Sequence, residues 1–144
     1  MVVKTQRSDS MSDSQWLTKK LRYMLAVAST FKSICPDVYY TTGAWSTIKL
    51  LTLLNYVPIY TKIIPRHFPS MHYIELLAGT GLCKIRETQD IVAGSTLIAS
   101  TVCYKPFDKY ILVEKDQRSA EALKKRMRTV TYNATVLSQD CNDC

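Results

Sequence analysis

No run of apolar residues in this sequence is long enough to cross a bilayer. The stretch from Ile48 to Ile64 comes nearest, but Lys49, Asn55, Pro58 and Lys62 interrupt it, and a span needs roughly 20 predominantly apolar residues. The opening M-V-V-K-T-Q-R-S-D-S also lacks the apolar core of a secretory signal. Cysteine occurs at 35, 83, 103, 141 and 144, an odd number without the spacing of a disulfide framework. The expectation is a cytoplasmic chain with reduced thiols and no membrane partner. Cys141 and Cys144 form a C-x-x-C, but no second pair and no suitably spaced His supports a metal site. The strand-then-helix setting of a redox pair is missing as well. His67 and His72 have no acid or nucleophile placed beside them, so no catalytic triad is indicated and the catalytic residues stay unassigned. Internal repeats and low-complexity segments are absent.

What is present fits one globular domain. The chain has 144 residues, 47% hydrophobic and 22% charged, enough for a real core and incompatible with wholesale disorder. Its +7 net charge is uneven. Residues 1–70 carry nine basic and three acidic side chains, whereas residues 71–144 carry ten and nine. A cationic first half beside a nearly neutral second half points to an anionic partner, nucleic acid first, although a solvated lysine-rich face gives the same count. The run Lys124-Lys125-Arg126-Met127-Arg128 is a second basic candidate; at a helix C-terminus its cations also suit the macrodipole.

Residues 1–13 are polar and Ser-rich and read as a flexible tail. Ser14 is placed to cap a helix whose stripe is Leu17, Leu21, Met24, Ala28 and Phe31. Pro36 and Gly43 bracket a loop holding Tyr39 and Tyr40, tyrosines suited to stacking on bases or to packing on a helix. A second helix starts near Ser46 with Leu50, Leu53, Leu54 and Val57 inward, and Pro58 ends or kinks it. Together these make residues 14–70 a helical, basic N-terminal segment. After Pro65 and Pro69 the pattern changes. Strands are expected at 72–77, 109–113 and 134–137. A helix over 96–103 opens at Gly94-Ser95, and Asp116 caps another with Ala120, Leu123 and Met127 inward. Strand and helix alternate as in a parallel sheet with right-handed crossovers. The expected fold is therefore α/β, a Rossmann-like doubly wound parallel sheet, first half only, over residues 71–144. Its strand order would be 3-2-1.

The segment Glu75-Leu-Leu-Ala78-Gly79-Thr-Gly81 carries the chemistry. An acid at a strand end followed by two glycines leaves a turn with no side chains over it, on which a flat ligand can lie; a turn serving topology alone would read the same. A dinucleotide fingerprint wants a third glycine at position 84, where Lys84 stands, and Glu75 would face a pyrophosphate. S-adenosylmethionine has no phosphate, and its ammonium and sulfonium suit an acidic lip. Glu114, at the end of the next strand, is placed either for ribose hydroxyls or as a helix-start acid. The usual offset from the turn is about 20 residues; the longer spacing here makes 82–93 an insertion between turn and helix. Asp140, in Asp140-Cys141-Asn142 after the third strand, is where an adenine amine is often read. Lys49 is a candidate contact for cofactor or anionic substrate, and an exposed helix lysine accounts for it equally simply. Gly81→Val is expected to abolish cofactor binding with helicity intact.

The runs Y-I-E-L-L-A-G-T-G, G-S-T-L-I-A-S, Y-I-L-V-E-K-D and D-C-N resemble the three-Cys-motif partner family, a branch of S-adenosylmethionine-dependent methyltransferase-like proteins. Gly43-Ala-Trp45-Ser-Thr-Ile-Lys49-Leu, leading to Asn55-Tyr56-Val-Pro58, is similar to that family's leading helix. The resemblance spans roughly 40–143. It implies S-adenosylmethionine as cofactor, with contacts at Glu75, Ala78, Gly79, Gly81, Glu114 and Asp140. Glu75 stands where the family often has Asp, and Thr80 and Thr96 where it often has Pro. The three cysteines of the family name belong to a partner protein. The expected function is methyl transfer, with nucleic acid a possible substrate; the alternative is a non-catalytic cofactor-binding module working in a complex. Enzymes that methylate amino groups carry an acid or amide, two prolines and an aromatic after the fourth strand, and no Pro-Pro pair occurs here. The expectation is half a catalytic domain, whose first-strand edge is covered by self-association or by a second polypeptide.

Overall fold

The computed structural model describes residues 12–143. Most of the expected tail, residues 1–11, and Cys144 of the C-x-x-C lie outside the described residues. The first helix, α1 (Asp13–Lys32), starts earlier than expected. Ser12, not Ser14, caps it: its side chain accepts from the Gln15 N–H, and the Gln15 side chain accepts from the Ser12 N–H. This reciprocal box satisfies two otherwise orphaned donors. Met24, Ala28 and Phe31 are buried, whereas Leu17 stays exposed.

Tyr40–Thr42 forms a strand, β1, where a loop was expected. The helix α2 (Trp45–Ile63) then runs through Pro58 without ending. Its buried line is Leu50, Leu54, Val57 and Thr61. A single 3₁₀ turn (Ile64–Arg66) leads to β2 (His72–Glu75). Leu76 and Leu77, expected to continue that strand, leave it and are exposed. The presumed insertion is a hairpin, β3 (Leu82–Ile85) and β4 (Ile91–Ala93). Then come α3 (Ser95–Val102), β5 (Lys109–Val113), α4 (Gln117–Arg128), β6 (Ala134–Leu137) and a 3₁₀ turn over Cys141–Asp143. Asp116 caps α4 as expected, accepting from the Ser119 N–H at 2.8 Å.

Two three-stranded sheets result. β2, β5 and β6 are parallel with β5 central, the expected order of the three strands. The other sheet, β1-β3-β4, was not expected; β1 runs parallel to β3, with Tyr40 opposite Cys83 and Thr42 opposite Ile85. The chain is thus mixed α/β. One core joins its halves: β1 from the N-terminal segment pairs with β3, α1 packs on β4, and α2 packs on α3. An aromatic cluster of Tyr60, Tyr73, Phe107 and Tyr110, ring centres 5.5–6.5 Å apart, ties α2 to the parallel sheet. No helix among the described residues is long and apolar enough to cross a membrane.

Candidate cofactor site at the glycine turn

Because β2, β5 and β6 are parallel, their C-terminal ends share one edge of the molecule. Glu75 is the last residue of β2, Glu114 follows β5 directly, and Asp140 lies three residues beyond β6. The glycine turn leaves the same end of β2. Gly79 and Gly81 both have positive φ, +61° and +82°, a conformation that costs an L-residue strain.

The two glycines do different work. A Cβ on Gly81 would come within 3.1 Å of Leu123 and 3.3 Å of Leu97, side chains of α4 and α3. A Cβ on Gly79 would meet nothing within 4 Å. Gly81 is therefore the packing glycine and Gly79 the open one. The expectation that Gly81→Val spares the fold is corrected: a valine there must push two core leucines aside.

The turn is held on every side. Ala78, buried, donates its N–H to the Val113 carbonyl at 2.9 Å. Glu114 accepts from the Gly79 N–H at 2.8 Å through Oε2 and from the Asp116 N–H at 2.9 Å through Oε1. Gly94 donates to the Gly81 carbonyl at 2.8 Å. From below, Arg126 Nη1 donates to the Thr80 carbonyl at 2.7 Å. Such a strapped turn presents its backbone in one conformation.

Glu75 is less a free lip than a half-buried anchor. Its Oε1 accepts from Ser95 Oγ, and its Oε2 from Thr96 Oγ1 at 2.6 Å and Tyr73 Oη at 3.0 Å. It thereby ties β2 to the first turn of α3, where the helix dipole favours a carboxylate. Burial pushes its pKa up, and the three hydroxyl donors only partly offset that. Burial beside Glu75 also lifts the Tyr73 phenol and pushes the Cys83 thiol up to about 11. Asp140 is held differently, by Lys115 Nζ at 2.8 Å and by the backbone and side-chain nitrogens of Asn142 at 3.0 and 2.8 Å. Those donors lower its pKa to about 2.

Arg126 departs most from its sequence reading. It is fully buried, not part of an exposed basic face. Its guanidinium donates to the carbonyls of Ile34, Cys35, Val38 and Thr80 at 2.7–3.1 Å. Burial without a carboxylate partner lowers its pKa, although an Arg stays charged. One side chain thus couples the 34–38 loop, where Cys35 has a positive φ of 54°, to the glycine turn. Sequence reasoning missed Arg126, Tyr73, Ser95 and Thr96. The signals were there: Arg126 lies three residues after Leu123 on the inward face of α4, and Tyr73 shares a strand face with Glu75.

Two surface concavities lie elsewhere, one of about 500 Å³ along α1 and one of about 370 Å³ between α4 and β6. In the glycine turn Ala78, Thr80 and Gly81 are buried, and the open part is Gly79, with Leu77 80% exposed beside it. Comparison with family models found no match, and neither did comparison with curated proteins or with solved structures.

Proposed function

We propose that this chain binds S-adenosylmethionine across the C-terminal ends of β2, β5 and β6 and serves methyl transfer, with nucleic acid as the substrate class. The observation that carries the reading is the alignment of an open, positive-φ glycine turn with an acid at the end of each of three adjacent parallel strands. Ligands of open α/β sheets sit outside those ends. The residues fit the cofactor: Gly79 leaves room for a flat group, and each Glu114 oxygen accepts one N–H and keeps capacity for a ribose hydroxyl. Glu75 adds a carboxylate suited to a cationic ligand, whereas the charge of Asp140 is already balanced by Lys115. When bound, the cofactor would supply an activated methyl on sulfonium; the chain's part is to orient it and exclude water. The resemblance to the three-Cys-motif partner family points the same way, and the free thiols of Cys35, Cys83, Cys103 and Cys141 suit a cytoplasmic setting.

A second reading, a cofactor-binding module that works in a complex, is favoured by one observation. Among the described residues β2 pairs on one side only, and Ile74 on its face and Leu76 and Leu77 just after it are 51–80% exposed. A self-associating copy or a second polypeptide completing the sheet would cover them.

Calorimetric titration with S-adenosylhomocysteine and with NAD tests the cofactor. The first should bind and the second should not. Glu114→Ala should lose roughly 1.5–3 kcal/mol, the range for hydrogen bonds to a charged group. A 2′-deoxy analogue should bind the parent poorly, and the variant no worse than the natural ligand does. Equal discrimination by both proteins would reduce Glu114 to a strap on the turn.

A further inference from the structure

Tyr40 and Trp45 are large aromatics left 62% and 63% exposed, five residues apart at the junction of β1 and α2. Lysines lie against Trp45 and against Tyr39, the neighbour of Tyr40 whose side chain alternates to the other side of the chain. Lys49 Nζ lies 5.3 Å from the Trp45 ring centre, and Lys84 Nζ lies 5.2 Å from the ring of Tyr39. The β1–β3 ladder places Thr41 opposite Lys84, and the Arg86 N–H donates to the Thr42 carbonyl at 2.9 Å, bringing an exposed Arg86 alongside. The neighbouring acid Glu87 is already engaged, accepting from the Ala44 N–H at 2.9 Å.

We infer that Tyr39, Tyr40, Trp45, Lys49, Lys84 and Arg86 form a binding surface for single-stranded nucleic acid. Exposed rings stack on unpaired bases whatever their sequence, and interleaved cations follow the phosphates. A duplex hides its base faces and offers only the charge. The position also suits delivery to the site. Tyr40 lies level with Cys83, two residues beyond Gly81, and Arg126 bonds both the Val38 and Thr80 carbonyls. The inference extends the nucleic-acid reading above, but oligonucleotide binding is measured without S-adenosylmethionine, so either can fail alone.

Two other cation–aromatic pairs, Lys20 with Trp16 and Lys62 with Tyr104, stand apart from this surface and serve as comparators. The test is fluorescence anisotropy with labelled dT₁₂ and U₁₂ and a duplex of equal length, over a salt series. The single strands should bind more tightly than the duplex, and comparison of dT₁₂ with U₁₂ separates DNA from RNA. Tyr40→Ala and Trp45→Ala should each weaken binding about tenfold, as expected for loss of one stacked base. Trp45→Phe should restore most of the affinity, and Trp16→Ala and Tyr104→Ala should change it less than twofold. The double variant Lys49→Gln, Lys84→Gln should flatten the log–log salt slope by about 1.4, roughly 0.7 per lost phosphate contact on a single strand. Circular dichroism checks that each variant is folded. Equal affinity for duplex and single strand, or losses as large at Trp16 as at Trp45, would overturn the inference. So would binding that salt does not weaken.

Discussion

On Glu75 the fold and the proposed ligand make opposite demands of one carboxylate. Three hydroxyl donors surround it, yet burial dominates and its pKa rises above the ordinary value near 4.5. The native state therefore holds its proton more tightly than the unfolded chain does. Its contribution to stability is complete below the ordinary pKa and is lost as pH rises through the raised value. Glu75→Gln should flatten the pH dependence of the melting temperature above about pH 4.5 and leave the protein at least as stable as the parent at neutral pH. The same change should weaken binding of the cationic cofactor, because the negative charge is gone. Thermal melts across pH 4–8 with a parallel titration check both halves. A variant that melts lower at neutral pH would mean that the ionised carboxylate stabilises the fold.

Among the elements, those with a full helical stripe or an apolar run were legible: α1, α2, α4, β5 and β6 fall where periodicity puts them. What was illegible depended on partners distant in sequence. β1, β3 and β4 have three or four residues each, too few for a period-2 pattern, and only their mutual pairing makes them strands. Pro58 was read as a stop or kink, yet α2 continues through it. At the candidate site, Glu75, Gly79, Gly81, Glu114 and Asp140 are the residues that the sequence singles out. What holds them is not legible there, since the Ser95, Thr96 and Arg126 contacts cross from other elements. Phe107 was equally silent in the sequence, although it stands among Tyr60, Tyr73 and Tyr110 and is buried. Phe107→Ala should cost about 3–5 kcal/mol, measured by urea unfolding. A loss below about 1 kcal/mol, well short of the usual cost of such a cavity, would show that α2 and the parallel sheet do not depend on that cluster.

At the scale of the whole molecule, the parallel sheet ends at β2 with an apolar rim. Ile74 at 60% and Leu77 at 80% exposure lie just before and within the turn that is proposed to hold the ligand, so a partner on this rim would sit beside the site. Light scattering should show a species larger than 16.4 kDa, and Ile74→Lys should shift it toward the monomer, since a charge on an edge strand opposes pairing. A parent that is a clean monomer would leave the rim to a different polypeptide. The central claim, that the open turn is a ligand surface, is tested most directly at Gly79. Asn tolerates its φ of +61°, and the space above it is empty. Gly79→Asn should therefore melt within a few degrees of the parent while its calorimetric affinity for S-adenosylhomocysteine falls at least tenfold. A folded Gly79→Asn protein that binds S-adenosylhomocysteine as tightly as the parent would contradict the account.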